Sequence, residues 1–376
     1  MAQGFSLADQ LFNAGKVVGL GQRVAAAAPG FAASAFAEAV MARLPELELK
    51  ARIGWIAECL DARLPRDFED LAAVILAALP PSCDPGLSDG DFGDFIYAPL
   101  GELVVRRGLD RPERALDLLE ELTQRFSMEY AIRPFLNAHE DLVFARLAAW
   151  CGHPHYHVRR LVSEGTRPKL PWGSGIAADP ARALPLLDAL HGDATRFVTR
   201  SVANHLNDLS KLMPEVVIDR LEGWATAGRQ APEEFGWMRA HALRTLVKDG
   251  DARALALLGY RADAPVRLAA LELDRARLQA GEPLRFAVVL AADADSPVLV
   301  DYVVHFHRGP GQAPRRRVMK LGQAVVQPGQ ALRLEKRYRL PKAATTVKVV
   351  PGPHRLEVQV NGRVLGGVDF EVVDAG

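Results

Sequence analysis

The run from Val158 to Gly173 holds the side chains with the most evident chemical capacity in the chain. Arg159, Arg160, Glu164, Arg167 and Lys169 lie close together, and Trp172 follows them. The pattern predicts a helix that carries Arg159 and Arg160 and ends at Gly165, then a basic loop broken by Pro168 and Pro171 that presents Trp172. Such a segment brings a carboxylate, several cations and an aromatic face together. A carboxylate stabilises developing positive charge or orients a water as base. An indole face holds a cation with about 0.5–2 kcal/mol. Taken singly, each residue has an ordinary reading, Glu164 as a solvated helix end and Trp172 as a core side chain. A loop this rich in Pro, Arg and Lys is poor core material, and that favours the joint reading. Two other clusters carry less. His153, His155 and His157 would share a face on a strand and could hold a metal there, but the segment opens a helix, so no metal site is expected. Gly19-Leu20-Gly21 has no strand before it and is no nucleotide fingerprint.

The elements that must position these residues are helical. Leu47, Ile53, Ile56, Leu60 and Leu64 recur at helical spacing, as do Leu116, Leu119 and Leu122. Residues 32 to 262 read mostly as helices, punctuated at Pro80, Pro134, Gly165 and Gly228, with a loop from Pro81 to Gly101. Arg160-Leu161-Val162-Ser163 aligns with Arg200-Ser201-Val202-Ala203 and with Arg244-Thr245-Leu246-Val247, the arginines being 40 and 44 residues apart. That period matches HEAT or armadillo helix pairs, which stack into a solenoid with a concave face. Near Asp263 the pattern changes to alternating runs at 285–290, 299–306, 333–338 and 355–360. Asn361-Gly362 is a two-residue hairpin signal, and a return strand starts at Arg363. About seven short strands without cysteine predict an immunoglobulin-like sandwich lacking the intersheet disulfide. The expected fold is therefore multidomain, α then β, with a HEAT-like α-helical repeat solenoid over 1–263 and an immunoglobulin-like β-sandwich over 264–376.

Composition narrows the function classes. The 376 residues carry 46 basic and 46 acidic side chains. Residues 1–150 hold 14 basic against 22 acidic, and residues 151–376 hold 32 against 24, so any basic surface belongs to the second half. Cys59, Cys83 and Cys151 fit no zinc or redox spacing and read as reduced thiols. The Ala-rich stretch from Val24 to Val40 lacks a compact apolar run behind a basic start, so neither a signal peptide nor a membrane span is expected.

Three stretches together carry a resemblance. Glu121 through Leu136 contains Glu129, Val158 through Gly173 contains Glu164 and Trp172, and Ser201 through Asp208 ends in Asn207-Asp208. In combination they resemble the AlkC-type alkylpurine DNA glycosylases, a branch of the HEAT-like repeat glycosylases. The similarity extends through Val300–Phe306 and Leu356–Gly362 of the sandwich, which one subgroup carries. The resemblance implies hydrolysis of the N-glycosidic bond of cationic purines such as 3-methyladenine in double-stranded DNA. It also implies attack without full extrusion of the base, unlike the usual base-flipping scheme, and no metal or other cofactor. N3- or N7-alkylation makes the purine a good leaving group, so the acid that ordinary sugar hydrolysis needs is dispensable.

By the same match Glu129, Glu164 and Asp208 form the acidic cluster, with Asp208 or Glu164 for the water and sugar and Glu129 for the lesion's positive charge. Trp172 would lie against the lesion. No lysine stands out as a Schiff-base nucleophile, which predicts a monofunctional enzyme. Arg159, Arg160, Arg167, Lys169 and Arg200 are the expected phosphate contacts, although Arg160, Arg200 and Arg244 equally suit a structural role between repeats. Ten Lys or Arg and one acid, Glu335, lie between His305 and Lys342. Within that segment Arg315, Arg316 and Arg317 follow a Gly/Pro turn at Gly309–Pro314 suited to a DNA groove. The chain is expected to be a monomer in the bacterial cytoplasm, associated with the nucleoid. The competing reading is a non-catalytic HEAT-repeat scaffold that binds DNA or protein. The two part on whether the three carboxylates converge.

Overall fold

The computed structural model describes residues 6–86, 92–171, 173–279, 281–340 and 349–373. Among them, α-helices run from Leu7–Leu11 to Ala252–Leu257, and eight strands follow from Val266 onward. Two compact units emerge. The first comprises Met1–Leu209 with Ala227–Ala242, and the second comprises Ser210–Thr226 with Leu243–Gly376. No helix among the described residues is long and apolar enough to cross a membrane.

In the first unit, local sequence explains the helices. Pro112–Thr123 opens on proline, where the missing N–H is one of the orphan donors anyway, and carries Glu113 in its first turn. It buries Leu116, Leu119 and Leu122 completely. The loop expected to reach Gly101 is shorter than that, because Pro99 starts the helix Ala98–Gly108. Helix Arg196–Leu209 packs between Tyr156–Gly165 and Pro232–Ala242. Arg160 and Arg200 are each the fifth residue of their helix. The third copy of the motif does not keep that place. Arg244 opens a separate short helix, Arg244–Asp249, after a turn at Leu243, as its longer spacing requires. Side-chain bonds tie successive helices at offsets of 37 to 41 residues. Ser201 to Glu164 spans 37 residues, Arg196 to Glu234 spans 38, and Arg167 to Asp208 spans 41.

The second unit is a two-sheet sandwich. Strands β1 (Val266–Leu273), β3 (Pro283–Ala292) and β6 (Leu332–Arg339) form one sheet in the order β1-β3-β6. Strands β2 (Arg277–Gln279), β4 (Ser296–Phe306), β5 (Arg315–Val326), β7 (Gly352–Val360) and β8 (Arg363–Val373) form the other in the order β2-β8-β7-β4-β5. Alternate residues face the core, among them Phe286, Val288 and Leu290 from β3 and Val300, Tyr302 and Val304 from β4. The ring of Tyr302 lies 5.2 Å from that of Phe286 and 5.8 Å from that of Tyr338. Asn361 and Gly362 turn β7 into β8 with φ of 47° and 81°, the left-handed pair that a tight hairpin needs. Asn361 also accepts from the N–H of Leu299 at 2.8 Å and donates to the carbonyl of Arg261 at 2.8 Å. The helices Arg244–Asp249 and Ala252–Leu257 belong to this unit, and Gln359 donates to the carbonyl of Lys248 at 3.2 Å.

Candidate active site

Two neighbouring helices of the first unit end at the site. Glu164 lies in the last turn of Tyr156–Gly165, and Asp208 in the last turn of Arg196–Leu209. Close packing sets the first of these ends. A Cβ on Gly165 would meet Ile132 Cγ2 at 2.7 Å, and Thr166 closes the helix by donating its hydroxyl to the Val162 carbonyl at 2.8 Å. His205, fully buried, braces the helix from the next pair through Nδ1, 3.0 Å from the carbonyl of Ser163. Burial pushes the His205 imidazole down to about 3, so it is neutral and donates there. Glu129 comes from the turn between Pro112–Thr123 and Ile132–Ala138.

These three carboxylates, distant in sequence, form one continuous network with two arginines. Arg160 Nη1 lies 3.4 Å from Glu129 Oε2, and Arg160 Nη2 lies 3.8 Å from Glu164 Oε2. Arg167 Nη1 donates to Glu164 Oε1 at 2.5 Å, and Arg167 Nη2 lies 2.9 Å from Asp208 Oδ2. Ser127 bridges Glu129 and Arg160, and Ser201 donates to Glu164 Oε2 at 2.6 Å. Burial alone would push the Glu164 carboxyl up. Arg160, Arg167 and the Ser201 hydroxyl outweigh it and hold Glu164 below the ordinary glutamate range. The same carboxylates hold the Arg167 guanidinium above its ordinary value despite burial. Three acids meet two guanidiniums in direct contact, with Arg133 close enough to feel Glu164 and Arg167, and the two helix C-termini add partial negative charge at the same place.

The loop after Gly165 is held by a residue to which sequence reasoning gave no role. Arg133 is 1% exposed, and its guanidinium donates to the carbonyls of Gly165 at 3.0 Å, Arg167 at 2.9 Å and Ser174. It thus clamps both ends of the segment that presents Arg167 and Lys169. Its place in the Glu121–Leu136 stretch was visible in the sequence, but no local pattern marks an arginine as fully buried. Arg133, Arg167, Lys169, Ser174 and Asp208 line a cavity of about 340 Å³. Lys169 is exposed there. Trp172 lies outside the described residues.

Two expected phosphate contacts are placed otherwise. Arg159 uses Nε and Nη2 on Asp193, at 2.6 and 3.1 Å, and Nη1 on the carbonyls of His153 and Pro154. Arg160 is 7% exposed and stacks over Phe197, with Cζ 4.5 Å from the ring centroid. Both are structural here, because their donors are engaged by groups that hold the helix. Arg200 is half-buried, its guanidinium 5.8 Å from the Phe197 centroid. The three histidines also serve the backbone. His153 Nδ1 accepts from the N–H of His155, whose Nδ1 accepts from the N–H of His157.

Comparison with known proteins resolves the lineage. The chain is 35% identical over 331 residues to the uncharacterized protein YhaZ of Bacillus subtilis (strain 168), covering 87% of this chain and 88% of that one. The family described as "Uncharacterised protein YhaZ, C-terminal Ig-like domain" matches residues 267–374. The solved structure of the Pseudomonas fluorescens alkylpurine DNA glycosylase AlkC, bound to DNA containing an abasic site analogue, superposes with a TM-score of 0.86 at 32% identity. That match covers 98% of this chain and 100% of the other. The chain belongs to the AlkC-type family, in the subgroup with a C-terminal Ig-like domain.

In this AlkC-type chain the basic run of the Ig-like domain falls on β5, where the sequence pattern indicates only the flank of a turn. Arg315, Arg316 and Arg317 are exposed and pair across the ladder with Phe306, His305 and Val304. They do not share one face, because successive strand residues point to opposite sides. Arg316 donates to Gln359 at 2.9 Å, whereas Arg315 and Arg317 stand on the other side.

Proposed function

We propose that the chain is a monofunctional DNA glycosylase that hydrolyses the N-glycosidic bond of cationic alkylated purines, such as 3-methyladenine, in duplex DNA. The observation that carries this reading is the run Glu129–Arg160–Glu164–Arg167–Asp208, which joins all three expected carboxylates in one buried network. A scaffold that only bound polyanionic DNA would gain nothing from buried acids at that place. The likeness to a glycosylase solved on DNA with an abasic site analogue supports the same conclusion, since an abasic site is what base excision leaves behind.

The chemistry follows from charge. The alkylated purine departs with the bonding electron pair and is neutralised as it leaves, so no proton donor is required. Positive charge moves to the sugar as an oxocarbenium ion, and preorganised negative charge stabilises it. The two favoured carboxylates are buried alike, Asp208 being 7% exposed, and differ in that only Asp208 lines the cavity. Glu164 is 5% exposed, and both its oxygens are bonded to Arg160, Arg167 and Ser201. Asp208 lines the cavity beside Lys169. Asp208 therefore faces the sugar and orients the water, while Glu164 fixes Arg167, which aims Asp208. Glu129 acts on the side of the purine. Lys169 holds flanking phosphate, and Arg315 and Arg317 of the Ig-like domain add phosphate contacts that position the duplex.

The test is incubation with methylated duplex DNA at low salt, followed by chromatography of released bases. Free 3-methyladenine from the wild type supports the reading, and its absence refutes it. Low salt is needed because phosphate-driven affinity falls steeply with ionic strength.

A further inference from the structure

A second cavity, of about 360 Å³, lies on the other side of Glu129. Lys50, Ile53 and Gly54 form part of one wall, and Phe95, Phe126, Glu129 and Tyr130 stand among the other lining residues. We infer that this cavity is a binding site for the free purine base, resting on the excision reading above for the source of that base. Three features point to it. The volume is at the small end of ligand pockets, which suits a single heterocycle better than a nucleotide. The walls are aromatic, with the rings of Phe95 and Phe126 4.3 Å apart, and aromatic faces stack on bases of any sequence. Lys50 is exposed at the cavity, and Glu129 is the acceptor placed to read an edge. Glu129 Oε2 takes the bonds from Ser127 and Arg160, while Oε1 has no partner among the described residues and accepts an N–H. Tyr130 is not available for that purpose, since its hydroxyl donates to the Ala98 carbonyl, and Glu102 at the rim is paired with Arg106 at 3.1 Å.

Gly54 adds a separate argument. It lies inside the helix Leu49–Asp61, where glycine is unfavourable. A Cβ there would come no nearer than 3.7 Å to any neighbour, so close packing does not require it. The missing side chain instead leaves the cavity open. Because Glu129 belongs to both the cavity and the carboxylate network, a base that leaves the sugar finds this aromatic cavity joined to the network.

The test is calorimetric titration of the full chain with 3-methyladenine, with AMP as the control. The wild type should bind the base saturably and bind AMP at least ten-fold more weakly, because a phosphate meets two carboxylates, Glu129 and Glu102, against the single cation Lys50. Gly54→Leu should weaken base binding ten-fold or more. No binding to the wild type, equal binding to Gly54→Leu, or AMP binding as tight as the base would each overturn the inference. Should Gly54→Leu fail to fold, crystals soaked with 3-methyladenine decide the matter, with density in the cavity against Phe95 and Phe126 and beside Glu129 supporting the site and density elsewhere refuting it. The titration contains no DNA. Base release without base binding therefore overturns only this inference, and base binding without base release overturns only the excision reading.

Discussion

Glu164 in the helical unit and Asp301 in the sandwich are both nearly inaccessible, at 5% and 4% exposure, yet their proton affinities move in opposite directions. Glu164 sits below its ordinary range because Arg160 and Arg167 touch it. Asp301 is pushed up to about 6, because burial outweighs Lys248, Lys320 and Arg316, none of which forms an ion pair with it among the described residues. Burial raises a carboxyl unless a cation is in contact, and the helical unit supplies two such cations at one place. A buried acid kept charged at neutral pH costs stability unless something offsets it, and such an arrangement is commonly a functional one.

Removing a cation from the first region should have the largest effect. Arg167→Met leaves Glu164 and Asp208 without their shared partner and should destabilise the chain by about 3–5 kcal/mol in urea denaturation. A loss under about 1 kcal/mol would mean that the network is solvated and the comparison false. The depressed carboxyl also fixes the pH dependence. The stability that Glu164 contributes is present above its unfolded-state value and lost as pH falls through its lower folded value.

Asp301 should behave in the opposite sense, with the next largest effect. Its folded value lies above the unfolded one, so stability falls as pH rises from about 4 to about 6. Asp301→Asn should therefore raise the melting temperature of the sandwich at pH 8, by the equivalent of about 2–3 kcal/mol. The gain should vanish at pH 4, and an equal gain at both pH values would break the contrast.

The smallest effect concerns the basic strand. Replacing Arg315 and Arg317 by Ala should reduce the slope of log affinity for duplex DNA against log salt by about two, since each phosphate that an arginine neutralises adds about one. Arg316→Ala should change it less, because Gln359 holds that side chain. A larger change from Arg316 than from the pair would place the DNA on the opposite side of the sheet.

The sequence disclosed those parts of the molecule that obey a period. Leu116, Leu119 and Leu122 mark a helix, β3, β4, β6 and β7 are visible as alternating runs, and Asn361-Gly362 marks the hairpin into β8. The edge strand β5 escaped notice because its exposed basic residues obscure the alternation. At the site, the motifs named Glu129, Glu164 and Asp208, but spacing alone does not say which side chains are buried. Arg159 and Arg160 therefore read as phosphate contacts, although Asp193 engages the first and Glu129, Glu164 and Phe197 the second. Arg133 drew no attention for the same reason, since its three acceptors are backbone carbonyls of a loop more than thirty residues away.

The most direct test of the central claim is the single-turnover rate of 3-methyladenine release from methylated duplex DNA by wild type, Asp208→Asn and Glu164→Gln. The account predicts that Asp208→Asn lowers the rate by about 10²–10⁴ with little change in DNA affinity. Glu164→Gln should lower it less, because Glu164 acts through Arg167. A rate for Asp208→Asn within a few-fold of wild type would contradict the assignment.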